Sequence, residues 1–314
     1  MLGFVAGYQL IYINSLIPRR CAWKYWYLAW RPDKLNNQLT PLRGKPQIQF
    51  TQNWPRLDGA TAAYPIYASA FYALSVLPED FHEWEYLANS RTPEAYNKIV
   101  KGNADIIFVA QPSGGQKKRA EESGVTLIYT PFAREAFVFI VNVDNPVNSL
   151  NRTNKCVTSS VVQLPTGARL AVTIRRSRLA TPEDSGSQTV MQSQVMKNVR
   201  MISPQETEVA SMMEGMIKVV AEYRNTNNAI GYTFRYYATQ MNADKNIKLL
   251  AINGIAPTAE NIRNGKYPYI VDAFMVTREN MTSETQKLVE WFLTPQGQSL
   301  VEDVGYVPMY KTLH

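Results

Sequence analysis

Two stretches bring hydroxyls and glycine together at the spacing of an anion-holding turn. One is Thr181-Pro-Glu-Asp-Ser-Gly-Ser-Gln-Thr-Val-Met191. It has a turn (Pro182, Asp184, Gly186) crowded with the hydroxyls of Ser185, Ser187 and Thr189. A run fit for a helix follows, Gln188 to Val199. The other is Leu57-Asp-Gly-Ala-Thr-Ala-Ala-Tyr-Pro65, read as strand, glycine turn and helix. A turn feeding a helix N-terminus presents unpaired N–H groups and the positive end of the helix dipole. That combination holds a small oxyanion. Gly59 permits a tight turn and close backbone approach, and Thr61 adds a hydroxyl. Each turn alone reads first as an ordinary strand-to-helix connection with a capping hydroxyl. Two of them in one chain strengthen the anion reading, with Gln111-Pro-Ser as a further wall.

Other chemistries lack their residues. The two histidines, His82 and His314, give no basis for a His-based triad or a His zinc site. No Gly-x-Ser-x-Gly surrounds Ser185, and no Gly-Lys-Ser/Thr follows it. Asp58, Asp105, Glu183 and Asp184 are the acids that could support catalysis. Asp105 reads instead as a strand start, and Glu183 and Asp184 as charges that favour a helix N-terminus. Cys21 and Cys156 leave a disulfide open and support neither a metal cluster nor a redox compartment. Tyr232, Phe234, Tyr236 and Tyr237 read as packing, as do Met212, Met213 and Met216 at helical spacing. The expectation is no catalytic residue, no metal and no cofactor.

The elements that must position these turns alternate between strand and helix. Ile48-Gln-Phe begins the ordered pattern, and Tyr64 to Leu77 reads as a helix with Pro65 in its first turn. Glu83 to Leu87 reads as a strand. Ser90 or Thr92 caps a helix from Glu94 to Lys101, with Pro93 at its first position. Ala104 to Ala110 reads as a buried parallel-type strand, followed by a polar helix, Gln116 to Ser123. Val125 to Tyr129 and Glu135 to Asn142 read as two further strands. This order argues for an α/β lobe with a mostly parallel sheet. Beyond Asn151 to Ala180, which has no periodicity, come a Met-rich helix (Val209 to Arg224) and strands at Ala229 to Phe234 and Ile247 to Ile252. A turn with a short helix follows, then a strand (Ile270 to Thr277) and a helix capped by Ser283.

At 314 residues the chain is long enough for two lobes, and 45% hydrophobic content reads as globular. The net charge of +7 would suggest nucleic acid or membrane as a partner. Its location removes that inference. Met1 to Leu57 holds one acid, Asp33, against eight bases, a net +7. Asn151 to Pro182 has six bases and no acid, so the remaining residues are net −6. The body of the chain is acidic, and nucleic acid is not an expected partner. The apolar start, Met1 to Ile13, falls short of the roughly 18 residues of a membrane span and lacks the charged leader of a signal peptide. Trp23 to Trp30 could act as an interfacial anchor; the simpler reading of residues 1–50 is an atypical extension.

Several motifs, in order and spacing, resemble phosphate-binding proteins of the PstS type, the substrate-binding components of phosphate ABC transporters. They are Asp58-Gly-Ala-Thr-Ala-Ala-Tyr-Pro, Ala104-Asp-Ile-Ile-Phe, Glu135-Ala-Phe-Val-Phe-Ile-Val-Asn, Asp184-Ser-Gly-Ser-Gln-Thr and Ile230-Gly-Tyr. Gly254-x-x-Pro-Thr-x-Glu-Asn-Ile, Gly265-Lys-Tyr-Pro, Thr294-Pro-Gln-Gly-Gln and Gly305-Tyr-Val-Pro also fit. The resemblance covers about residues 55–150 and 181–312. It implies an α/β, two-lobed periplasmic-binding-protein fold of type II with hinge crossover strands. Residues 51–144 and 234–314 would form lobe I and 145–233 lobe II. It implies a non-enzymatic, extracytoplasmic and monomeric protein that captures inorganic phosphate for an ABC permease. Ala60 and Thr61 would match the first phosphate loop, Ser90 to Thr92 the second, and Ser185, Gly186 and Ser187 the loop of the second lobe.

Two departures bear on selectivity. The Arg that the family carries shortly before the Ser-Gly loop falls near Thr181. The Asp that accepts the proton of monohydrogen phosphate falls in Val109-Ala-Gln-Pro, where Gln111 offers only an amide oxygen. They leave open a sensory or scaffold domain of the same fold that binds another oxyanion or none. The acid-free Arg/Ser/Thr text of residues 151–180 prompts the hypothesis of an out-of-frame stretch that regains frame at Thr181. Residues 1–50 either share that origin or replace a signal sequence. Resequencing the gene tests this, and a confirmed frame removes it.

Overall fold

The computed structural model describes residues 37–79, 81–151, 184–197 and 230–313, with short pieces at 162–163, 169–170, 217 and 220–221. The cysteines, residues 1–36, Thr181 to Glu183 and the Met212–Met216 set lie outside the described residues.

Leu57–Gly59 forms β1, fully buried. One 3-10 turn, Thr61–Ala63, leads into α1 (Tyr64–Leu74) with Pro65 in its first turn, where no N–H is needed. Glu83–Glu85 is a 3-10 turn, and Leu87 makes a single parallel bridge to Leu57 rather than a full strand. Then come α2 (Arg91–Lys101), β2 (Ile106–Val109) and α3 (Gly114–Glu122). α2 ends on Gly102 at φ 74, the left-handed stop that glycine takes at least cost.

β3 runs unbroken from Leu127 to Asn142. The two strands expected at 125–129 and 135–142 are one. The pairing register with its neighbour shifts at Ala273/Phe274, opposite Pro131 to Ala133. A bulge there takes up one residue and tolerates the missing proline N–H, so Pro131 does not end the strand.

The short strands β4 (Ser149–Leu150), β5 (Val162–Gln163) and β6 (Arg169–Leu170) follow. α4 (Gly186–Val190) continues as a wider π-helical turn, Met191–Met196. β7 (Ile230–Phe234), β8 (Ile247–Leu249) and β9 (Ala251–Ile252) precede α5 (Ala259–Arg263) and β10 (Ile270–Arg278). α6 (Ser283–Leu293), α7 (Pro295–Val304) and β11 (Val307–Pro308) complete the chain. The α6 cap is Thr282, whose Oγ1 accepts from Thr285 N at 3.2 Å, one residue before the Ser283 expected.

The main sheet has the order β1-β2-β10-β3-β11. β1 and β2 are parallel; β10 enters antiparallel between β2 and β3. The sheet is therefore mixed, not mostly parallel. β3 pairs with β10 as far as Ala136, and from Phe137 to Asn142 it pairs with β7 and β8 instead. One strand thus crosses from one core to another. The first core packs α1, β1, β2, α6 and α7 around Tyr67, Phe108 and Phe292. The second gathers Phe137 to Val141, Val190, Tyr232, Phe234, Leu250 and Ile252. β8 and β9 sit with this second core, which also takes in Ala62, Val271 and Val307.

Candidate functional site

The first turn is built around a buried acid. Asp58 is 1% exposed. Its Oδ1 accepts from the N–H of Gly59 and of Ser90, both at 2.7 Å, and its Oδ2 accepts from Lys98 Nζ at 2.9 Å. A single carboxylate therefore ties the Gly59 turn to the Ser90–Thr92 loop. Gly59 has no room for a side chain, because a Cβ would lie 2.4 Å from the Phe108 carbonyl oxygen. The Ala60 N–H donates to that same carbonyl at 2.9 Å. Ala63 N donates to Ala60 O, and Tyr64 N to Thr61 O. The helix start leaves the N–H groups of Thr61 and Ala62 without intrahelical acceptors, beside the Thr61 hydroxyl.

The second loop opens α2. Its cap, Ser90, makes no side-chain bond to the helix, and Arg91 sits at φ 71, a left-handed backbone that non-glycine residues seldom adopt. Thr92 is buried. Gln111 follows β2 and donates through Nε2 to Ser193 Oγ. Ser113 caps α3 in a reciprocal box: its Oγ accepts from Gln116 N at 3.0 Å, and Gln116 Oε1 accepts from Ser113 N at 2.9 Å.

The third turn stands against that loop. Ser185 caps α4, its Oγ accepting from Gln188 N at 3.3 Å. Gly186 packs where a Cβ would meet the Phe234 ring at 3.5 Å and Ala110 Cβ at 3.6 Å. Ser187 is buried, and Tyr232 donates its hydroxyl to Gln188 Oε1. Asp184, at φ 66, receives Ser113 Oγ and Arg119 Nη2 on its carboxylate and Gln116 Nε2 on its carbonyl. Burial alone would raise the Asp184 pKa. The Ser113 and Arg119 hydrogen bonds and the Arg119 charge outweigh it and hold the carboxyl below its ordinary value.

These contacts bring the turns to one place, the carboxyl end of β2. The Gly59–Thr61 turn abuts Phe108, the Ser90 loop hangs on Asp58, and Gly186 touches Ala110. Thr61, Ser90, Thr92, Gln111, Ser185, Gly186 and Ser187 all lie on those segments; the Ala60 amide is committed to Phe108. Hydroxyls and N–H groups of this kind can hold a dehydrated oxyanion. The Ser113–Gln116–Arg119 set escapes sequence reading, although Ser113-x-x-Gln116 is a capping-box pattern. Among the described residues no group of three or more His, Cys, Asp or Glu side chains could hold a metal ion, and no helix is long and apolar enough to cross a membrane.

Comparison with known proteins agrees with this architecture. The phosphate-binding protein PstS of Bacillus subtilis is 30% identical over 93 residues, 29% of each chain, so that match spans under a third of the relative. Protein SphX of Synechococcus elongatus is 22% identical over 280 residues, 80% of this chain and 76% of its own. The structure of a putative phosphate ABC transporter substrate-binding protein with bound phosphate, from Clostridium perfringens, superposes with a TM-score of 0.58 at 17% identity. It is matched over all of its length and 82% of this chain, a likeness of fold. Residues 56–296 match the family model described as a PBP superfamily domain, and the chain belongs to that superfamily.

Proposed function

We propose that this protein is an extracytoplasmic solute-binding protein that captures inorganic phosphate between its lobes and delivers it to an ABC permease. The observation that carries the reading is the meeting of three donor-bearing turns with the Gln111 loop at the carboxyl end of β2. Ligands of open α/β sheets bind at such an end. The names of PstS and of the phosphate-bound Clostridium structure support phosphate as the anion. Thr61, Ser90, Thr92, Ser185, Gly186 and Ser187 act as donors, with Ala60 shaping the first turn. The protein works as a monomer and catalyses no reaction, and nucleic acid is not a partner.

Gln111 sets the selectivity. Its Nε2 engages Ser193, so its Oε1 is the atom that accepts a phosphate hydroxyl. A hydrogen bond to a neutral acceptor is worth about 1 kcal/mol, so phosphate is preferred over sulfate by roughly fivefold to tenfold. Titration calorimetry with each anion tests both statements. Phosphate binding with weak sulfate binding is expected. Neither heat nor a thermal shift with either anion refutes the proposal and leaves a scaffold or sensory domain of the same fold.

A further inference from the structure

Asp184 is not among the donors just assigned, yet both its carboxylate and its backbone carbonyl are engaged. It directly precedes Ser185 on the segment that packs with the second core. Its side-chain partners among the described residues, Ser113 and Arg119, belong to the cap and body of α3, the helix that follows β2 and packs beside α2. Its backbone carbonyl accepts from the buried Gln116 of the same helix at 3.0 Å. Arg119 Nη2 reaches the carboxylate at 2.7 Å, and a Cβ on Gly115 would lie 3.6 Å from it. The negative charge thus stands at the N-terminal turn of α3, where the helix dipole favours it. A second bond spans the same gap, from Gln111 Nε2 to Ser193 Oγ.

We infer that Asp184, with Ser113, Gln116 and Arg119, is an interlobe latch that stabilises the closed form without ligand. Opening about β3 would part the segment before α4, which packs in the second core, from α3, which follows β2, and would break these bonds. Contacts present in one state only shift the equilibrium toward that state. The apparent affinity of a closed-form ligand scales with the closed fraction. The latch therefore sets how tightly the anion is kept and how fast it is released. The consequence for affinity rests on the phosphate reading above; the latch itself does not.

The test uses the full chain. Asp184→Asn removes the charge and keeps a residue that tolerates φ 66. Arg119→Gln removes the partner from an exposed site and does not threaten folding, and Arg119→Lys restores the charge. X-ray scattering of the ligand-free protein should give a larger radius of gyration for Asp184→Asn and Arg119→Gln. Arg119→Lys should stay near the wild type. Raising the salt should expand the wild type and leave Asp184→Asn unchanged. Phosphate, where it binds, should do so about threefold to thirtyfold more weakly in both neutralised variants. Ligand-free scattering identical in the wild type and both neutralised variants overturns the latch. If the wild type binds phosphate while those curves coincide, only the latch falls. If the curves differ and no anion binds, the latch stands and the phosphate reading falls.

Discussion

At the scale of single residues, Asp58 controls more of the site than any hydroxyl. It holds the Gly59 turn, the Ser90 amide and Lys98 at once while almost wholly buried. Asp58→Ala frees two N–H groups and leaves Lys98, 31% exposed, without its carboxylate. Removing one partner of a buried pair costs about 3–5 kcal/mol, and the exposure of Lys98 reduces that to roughly 2–3 kcal/mol. Urea unfolding measures it. Asp58→Asn keeps an Oδ1 acceptor for both N–H groups, loses only the Lys98 pairing, and should lose about half as much. A loss under 0.5 kcal/mol for the alanine variant contradicts this account of Asp58. Gly59 and the Ser185 cap could be read from the sequence because their chemistry is local: a tight turn, and a hydroxyl three residues before the amide it receives. Asp58 could not. Beyond the adjacent Gly59, its partners lie 32 and 40 residues away, and nothing in a linear pattern pairs them.

At the scale of elements, periodicity carries α2, β2, β10 and α6 to within a few residues, because each has one buried face or a continuous apolar run. It fails at β3, read as two strands, where a bulge opposite Pro131 to Ala133 lets a single strand run through. It fails again for β10, whose insertion between β2 and β3 is decided by strands more than 120 residues earlier. What pins the last elements to that sheet is Gln298 on α7, fully buried. Its Nε2 donates to the carbonyls of Phe132 and Phe292, and its Oε1 accepts from Met309 N and Tyr310 N. All four bonds end on backbone groups. Gln298→Met fills a similar volume and leaves two N–H and two C=O groups without that partner. Each buried unsatisfied group costs about 1–3 kcal/mol. The two carbonyls are buried while the Met309 and Tyr310 amides are part-buried, so the expected loss is about 2–4 kcal/mol in denaturant unfolding, and proteolysis should cut first near Met309. A variant as stable as the wild type shows that these backbone groups find other partners.

At the scale of the whole molecule, Glu135 stands where β3 passes from one core to the other. Its Oε1 accepts from Ala136 N at 2.8 Å and faces Arg235 Nε at 3.3 Å; its Oε2 accepts from Tyr236 N at 2.9 Å. Tyr236 packs on Tyr306, whose hydroxyl donates to Ala62 O beside the first turn. The crossover and the anion turn thus share one rigid path. Burial raises the Glu135 pKa, and the Arg235 charge with the two backbone N–H groups offsets only part of the rise. Between the unfolded and the higher folded value, the folded state holds a proton that the unfolded chain has released. Stability then falls with rising pH. The Glu135 contribution is fully present below the unfolded value, near 4.5, and is lost as pH climbs through the higher folded value. Asp184 has the opposite sign: its contribution is present above its unfolded value, 3.8, and is lost as pH falls through the lower folded one. The two titrations thus separate on the pH axis. Chemical denaturation of the wild type and Glu135→Gln from pH 3 to pH 8 measures the difference. The stability of the wild type relative to the variant should decrease as pH rises above about 4.5, while both should share the loss below it that Asp184 causes. A difference that stays flat or grows with pH means that Arg235 and the backbone donors more than compensate the burial of Glu135. The crossover would then be held by an ion pair stabilised at neutral pH, rather than by a carboxylate under a desolvation cost.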